Sequence, residues 1–159
     1  MNKKPGALRF LLLASTMVVP LALAAQDGAD LFRQNCAPCH AEKGAGAAGL
    51  APPLQNAELW RVLGEDSAYY LLAVMRGGLS GRIRSQGLDY IGLAMPPQAH
   101  VKPEEMQEIA RYVLETLNGA KANVSFALLA EVAKASPSHK ELRSARNGKP
   151  GLSSKVASK

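Results

Sequence analysis

The most regular hydrophobic pattern in this chain lies in its second half, where apolar side chains recur at the spacing of an α-helix. The pattern follows Pro103, and its apolar positions are Met106, Ile109, Ala110, Val113, Leu114 and Leu117. These positions are three or four residues apart, so they form one stripe on a helix, and proline is well tolerated at a first helical position. Asn118-Gly119 is an ordinary helix stop. The spacing therefore predicts an amphipathic helix with one buried face.

Two further helices are predicted upstream of this one. The first covers about residues 67–76, with Asp66 or Ser67 as its cap and a pair of glycines as its stop. The second covers residues 28–35. The segment 77–90 contains four glycines, so any strand within it must be short.

The chain after residue 118 divides into two parts of different composition. Residues 119–135 contain enough apolar positions for one more short helix packed on the core. In residues 136–159, Ser, Gly, Pro, Lys and Arg dominate, which is the composition of a disordered segment. We expect this end to be a basic, flexible tail. It either docks an acidic partner or lipid headgroups, or only keeps the protein in solution.

Residues 1–24 have the order of a secretory signal peptide. Three basic side chains and no acidic one come before an apolar run of about 14 residues, and small residues precede a cut after Ala24. A transmembrane helix needs roughly 20 apolar residues, so this run is too short for one. An uncleaved anchor is the alternative. We expect a periplasmic protein that has no membrane span in its mature form.

The charge of the chain does not describe one surface. The whole sequence has 19 Lys and Arg against 13 Asp and Glu, a net charge of +6. Residues 25–118, however, contain eight basic and eleven acidic side chains, a net charge of −3, so the basic excess lies at the two ends. A basic core that binds nucleic acid is therefore excluded, although the overall charge alone would suggest one.

The two cysteines of the chain lie in one short motif, Cys36-Ala37-Pro38-Cys39-His40. A structural zinc site needs four ligands, and only His100 and His139 remain as further candidates. A thioredoxin-type redox pair follows a strand, whereas a helix is predicted here. A disulfide between residues so close closes too small a loop to stabilise much. The fourth interpretation, which we favour, is covalent haem attachment, for which C-x-x-C-H is the recognised spacing.

Haem attachment has a direct physical basis in this motif. Two thiols three residues apart on one helical turn reach the two vinyl groups along one edge of a porphyrin. Thioether bonds at Cys36 and Cys39 then hold the macrocycle permanently, as suits an exported protein. His40 follows at once, so its imidazole lies beneath the iron as the proximal ligand. We therefore expect one covalent haem c.

Met95 is the best candidate for the second axial ligand. It lies in the segment 92–97, where two successive prolines forbid regular helix and favour a stiff, extended loop. Met75 and Met106 fall on the apolar stripes of predicted helices, where methionine usually fills core space. His100 is a rival ligand, and Met95 could also be an apolar loop residue packed on the core.

From Gly28 to Leu117 the sequence resembles a class I cytochrome c. The resemblance is carried by Gly28-x-x-x-Phe32-x-x-x-Cys36, by Ala51-Pro52-Pro53-Leu54, and by Tyr90 with Met95 in the methionine loop. It implies an all-α, cytochrome c-like fold of three to four helices wrapped around one covalently bound haem. It also implies that Gly28 permits a close helix crossing, and that a proline carbonyl, Pro52 in our assignment, accepts a hydrogen bond from His40. Met95 is placed on the iron, with Tyr90 beside the haem.

This resemblance implies a one-electron carrier rather than an enzyme, since His40 and Met95 fill both axial positions. Trp60 has two open roles, a hydrogen bond to a haem propionate or packing alone. A shorter likeness, over the proline segment, Trp60 and residues 77–83, is to small cytochromes that serve periplasmic dehydrogenases. We therefore expect a dehydrogenase as donor and a terminal oxidase or another cytochrome as acceptor. The alternatives are a cytochrome subunit of a dehydrogenase complex, and a haem enzyme or gas sensor with an open site.

Overall fold

The computed structural model describes residues 27–149 and 151–152, and the predicted signal peptide at residues 1–24 lies outside the described residues. Within the described ranges, no helix combines the length and the apolar character that crossing a membrane requires. The described chain is mainly helical with two very small sheets, which confirms the all-α prediction.

Each predicted helix is present, and others accompany them. The α-helices are α1 (Gly28–Asn35), α2 (Ala37–His40), α3 (Ala57–Leu63), α4 (Ser67–Gly77), α5 (Pro103–Arg111), α6 (Phe126–Lys134) and α7 (His139–Arg146). The side chains of Asp27 and Asn56 cap α1 and α3 by accepting hydrogen bonds from backbone N–H groups. The predicted stripe after Pro103 does not end with α5. It continues through one wide π-helical turn, Tyr112–Thr116.

Four short strands lie between α4 and α5. These are β1 (Leu79–Ser80), β2 (Ile83–Ser85), β3 (Leu88–Tyr90) and β4 (Ala94–Met95). Strands β2 and β3 form an antiparallel hairpin, whereas β1 pairs with β4 across it, with Leu79 opposite Met95. The segment 92–97 is therefore extended as predicted, but its Met95 belongs to a strand rather than to an unpaired loop.

The core is built where α1 crosses α5. A Cβ atom added to Gly28 would overlap the carbonyl oxygen of Glu108, so the two backbones approach more closely than any residue other than glycine allows. One turn further along α1, the ring of Phe32 contacts that of Tyr112, with centroids 5.4 Å apart. The close crossing expected at Gly28 is thus confirmed. Helix α4 is almost entirely buried and packs against α3, α5 and α6.

The prediction of a flexible tail over residues 136–159 is wrong for most of that segment. Helix α7 begins after Ser138, whose side chain forms a capping box with Glu141, and it buries Leu142 and Ala145. Beyond it, the backbone N–H groups of residues 151 and 152 donate to the carboxylate of Asp66. Polar and basic residues dominate this segment, so the few apolar positions that fix it to the core do not show in its composition.

A substitution in α7 tests whether this end is folded in solution. Leu142 is only 1% exposed. Leu142→Ala should therefore lower the free energy of unfolding by about 2–5 kcal/mol, because it removes buried methyl groups and leaves a cavity. Lys140→Ala, on the exposed side of the same helix, should change it by less than about 0.5 kcal/mol. Chemical denaturation of both variants measures the difference, and equal stabilities would mean that α7 is not packed.

Candidate functional site

Cys36, Cys39 and His40 lie on one tight turn at the end of α1. The N–H of Cys36 donates to the carbonyl of Phe32 at 2.8 Å, which closes α1, and α2 begins at the next residue. The N–H groups of Cys39 and His40 donate back to the carbonyl of Cys36 at 3.2 and 2.9 Å. Both cysteines are free thiols, Cys36 partly buried against the core and Cys39 exposed. This one turn therefore presents two thiols and an imidazole together.

The environment of Cys36 is unlike that of a redox-active thiol pair. Burial, together with the charge of Cys39 when it ionises, raises the pKa of Cys36 to about 12. Reactive cysteines in C-x-x-C redox motifs have a lowered pKa, and they open a helix that follows a strand. Cys36 follows α1 and remains a neutral thiol at physiological pH. This environment favours a group that is covalently attached in an apolar surrounding over thiol–disulfide exchange.

The ring of His40 is buried and held in a defined orientation. Its Nδ1 lies 2.9 Å from the carbonyl oxygen of Pro52. A carbonyl oxygen only accepts, so Nδ1 carries the hydrogen and Nε2 keeps its lone pair. Burial lowers the pKa of His40, although the Pro52 carbonyl partly opposes this shift. A neutral imidazole with a fixed tautomer and an available Nε2 is what a metal ion requires from a histidine ligand.

The segment that carries Pro52 is itself braced by two side chains from elsewhere in the chain. The carbonyl of Leu54 accepts hydrogen bonds from Nε1 of Trp60 at 3.0 Å and from Nδ2 of Asn118 at 2.9 Å. The Oδ1 atom of Asn118 in turn accepts from the backbone N–H of Asn56 at 2.8 Å. Trp60 is 3% exposed, so its N–H serves this brace rather than a haem propionate. Of its two open roles, packing agrees with this arrangement.

Asn118 is a residue that the sequence analysis missed. Its amide reaches Leu54 because the π-helical turn before it changes the direction of the chain, with the N–H of Leu117 bonded to the carbonyl of Tyr112 at 3.0 Å. Its Nδ2 also donates to the carbonyl of Val113 at 2.7 Å. The Asn-Gly pair predicted only a helix stop, and no pattern in the sequence signals this second role.

The structure separates Met95 from the other methionines of the described residues. Met75 and Met106 are buried in the core, as predicted, whereas Met95 is half-buried at the core's edge on β4. Its backbone is fitted closely to Gly78, where an added Cβ would lie 2.5 Å from the Met95 carbonyl oxygen. Gly78 has a φ of +74°, so its backbone also favours glycine. This methionine is therefore set on a fixed segment.

The two remaining candidate residues of this region have different surroundings. His100 is exposed, and its Nε2 lies 3.2 Å from Oδ1 of Asn35, as is typical of a surface residue. Tyr90 is buried on β3, opposite Ile83 in the hairpin. His100 is thus the weaker rival to Met95, and Tyr90 belongs to the framework that leads from the hairpin toward β4.

A family model for cytochrome c matches residues 25–117. This chain belongs to the cytochrome c family. Among curated proteins, this cytochrome is similar to a cytochrome c-552 of Thermus thermophilus, with 34% identity over 110 residues, which is 69% of this chain and 73% of that relative. A second cytochrome c-552 from Thermus thermophilus is 34% identical over 95 residues, covering 60% of this chain and 71% of its own length.

Members of this family carry one covalent haem c, and the site of this cytochrome fits that group. Cys36 and Cys39 stand at the two cysteine positions of C-x-x-C-H, on a single turn. His40 is buried, with Nδ1 bonded to Pro52 and Nε2 available to iron. The surroundings are apolar enough to raise the pKa of Cys36, as suits a largely apolar macrocycle. The protein is an electron carrier and not an enzyme.

Proposed function

We propose that this cytochrome is a periplasmic one-electron carrier that takes electrons from a periplasmic dehydrogenase and delivers them to a terminal oxidase or another cytochrome. In this proposal His40 and Met95 are the axial iron ligands. The observation that carries it is the state of these two side chains. His40 has a fixed tautomer at the end of its hydrogen bond to Pro52, and Met95 lies on a strand fitted to Gly78.

Each residue of the site then has a separate task. Cys36 and Cys39 anchor the cofactor, and the Pro52 carbonyl keeps the His40 imidazole oriented and raises its basicity as a ligand. Met95 closes the opposite side with a thioether, which favours the reduced state relative to a second imidazole. The bound haem supplies one-electron cycling between Fe(II) and Fe(III). With both axial positions filled by side chains, small molecules have no open position at the metal.

The periplasmic location is supported by two features of the sequence. Residues 1–24 have the order of a cleaved signal peptide. Covalent attachment through C-x-x-C-H is carried out outside the cytoplasm, so export and cofactor agree. The amino-terminal residue of the protein isolated from the periplasm checks this location, and it should follow Ala24.

Carbon monoxide tests the assignment of Met95. The ferrous protein should show no spectral change under carbon monoxide, because the thioether occupies the position that the gas needs. Met95→Ala should bind the gas at once, and its reduction potential should fall by about 100 mV or more, since axial ligands tune haem potentials over roughly 0.8 V.

Met75→Leu is the matched control for that substitution. It removes another thioether, but one that is buried in the core, and a volume-conserving exchange costs less than about 1.5 kcal/mol. Its spectrum and its response to the gas should equal those of the natural protein. An unchanged spectrum in Met95→Ala would clear Met95 as a ligand. Ready gas binding by the natural protein would favour the open-site enzyme or sensor.

The partner assignment needs a separate experiment. The ferric protein is mixed with a periplasmic extract from its own source, and candidate dehydrogenase substrates are added one at a time while the reduced absorption band is followed. One substrate should reduce the protein rapidly, and added salt should slow the reaction if charge steers the encounter. Reduction only by membrane quinol, and by no dehydrogenase substrate, would contradict the proposed donor.

A further inference from the structure

Helix α7 directs two of its basic side chains toward β1. Nη1 of Arg143 donates to the carbonyl of Ser80 at 2.5 Å. Nε2 of His139 lies 3.3 Å from the carbonyl oxygen of Gly77, and Nδ1 lies 2.5 Å from Oγ of Ser80. In a neutral ring, Nε2 then donates to Gly77 and Nδ1 accepts from the Ser80 hydroxyl. The helix thus holds both the backbone and the side chain of Ser80.

The backbone next to Ser80 is shaped to receive the guanidinium. A Cβ atom at Gly81 would lie 2.7 Å from Nη1 and 2.8 Å from Cζ of Arg143. Gly81 also has a φ of +94°, which residues other than glycine rarely adopt. The guanidinium therefore lies against a bare stretch of backbone. Its hydrogen bond and this glycine are two separate features that place it there.

Strand β1 is in turn the support of the methionine strand. Leu79 pairs with Met95 and Ser80 pairs with Ala94, in a ladder only two residues long. A two-stranded ladder is marginally stable in water by itself, so this one depends on what packs beside it. Gly78, which leads into β1, also contacts the Met95 backbone. The contacts therefore run without a break from α7 through β1 to Met95.

We propose that α7 is a positioning element for the methionine ligand, and that Arg143 is its main contact. This inference rests on the proposed function, in which Met95 binds the iron. Arg143 touches neither the iron nor Met95. It limits how far β1 and β4 move together away from the haem, so it sets how often the thioether leaves the iron. The basic end of the chain thus acts inward, on the ligand, rather than only on partners or solvent.

The test measures how often Met95 leaves the iron. Carbon monoxide enters a six-coordinate site only after the thioether dissociates, so its association rate with the ferrous protein reports local opening of β4. Arg143→Met removes the charged donor and keeps a long apolar stem. The rate should rise about tenfold, the change expected when a hydrogen bond from a charged group no longer opposes opening. The sulfur-to-iron charge-transfer band of the ferric protein should weaken at lower temperature than in the natural protein.

Lys140→Met is the matched control, since it makes the same chemical change on the exposed side of α7. It should leave the rate and the band unchanged. All variants are compared at a temperature where far-ultraviolet circular dichroism shows each to be fully folded. Should Arg143→Met fail to fold, Arg143→Lys decides, because lysine keeps the charge but cannot lie flat against Gly81, and its rate should also exceed the natural one.

The outcomes separate this inference from the function on which it rests. If Met95→Ala binds carbon monoxide and Arg143→Met has the natural association rate, Met95 is the ligand and α7 does not position it. If Met95→Ala has an unchanged spectrum, the proposed ligation itself fails. A rate that rises equally in Arg143→Met and Lys140→Met would trace the effect to charge, and would overturn the positioning role of Arg143.

Discussion

The double variant Cys36→Ala, Cys39→Ala will contain no covalently bound haem. The two thiols are the only cysteines of the chain, and each thioether needs one of them. A haem stain after denaturing electrophoresis should therefore be absent, and acidified organic solvent should extract whatever haem the folded protein retains. This is the largest single effect expected in the molecule, because the cofactor carries the function.

The single variants sharpen this result, since the two thiols differ in their surroundings. Cys36 is partly buried against the core, whereas Cys39 is exposed. Each single variant retains one thiol and should keep a reduced stain. Cys36→Ala should also lose some stability through the small gap it leaves, while Cys39→Ala should not. A stain of natural intensity in the double variant would falsify covalent attachment at these positions.

Gly28→Val will produce the largest loss of stability that we expect from one substitution outside the cofactor site. Its Cβ atom alone would overlap the Glu108 carbonyl oxygen and lie 3.0 Å from the Tyr112 side chain, and valine adds two methyl groups. Helix α1 must then move away from α5, which also separates Phe32 from Tyr112. We expect the free energy of unfolding to fall by about 3 kcal/mol or more, the upper range for overpacking.

Chemical denaturation followed by the fluorescence of Trp60 measures this loss, since the bound haem quenches that fluorescence in the folded state. Gly77→Ala is the comparison. No atom lies within 4 Å of the Cβ atom it would add, and its φ is not positive, so its stability should match the natural value within about 0.5 kcal/mol. An unfolding midpoint of Gly28→Val equal to that of Gly77→Ala would contradict the close crossing.

The features that sequence predicted correctly are those set by neighbouring residues. The stripe after Pro103 repeats at helical spacing, and the glycines after Arg76 mark the end of α4, so local pattern is enough to find both helices. The same holds for the haem attachment turn, because its three functional residues lie within five positions. The methionine segment was found through its prolines, which limit the backbone locally.

The features that were missed depend on contacts between distant parts of the chain. Asn118 reaches Leu54 across 64 residues, and Arg143 reaches Ser80 across 63, so neither hydrogen bond leaves a trace in local spacing. Trp60 was open between two roles because its choice of acceptor depends on where Leu54 lies. In α7, two buried side chains among polar neighbours decide the fold, and an average over composition hides them.

The π-helical turn at Tyr112–Thr116 makes chain length, as well as residue identity, a determinant of the haem site. A π turn holds one residue more than an α turn, so removing one residue there would restore regular helix and rotate everything after it by about 100° around the axis. Asn118 would then turn away from Leu54, although every residue of the brace would still be present. An alignment of this cytochrome with a relative therefore transfers the brace only where the relative has the same number of residues in that turn.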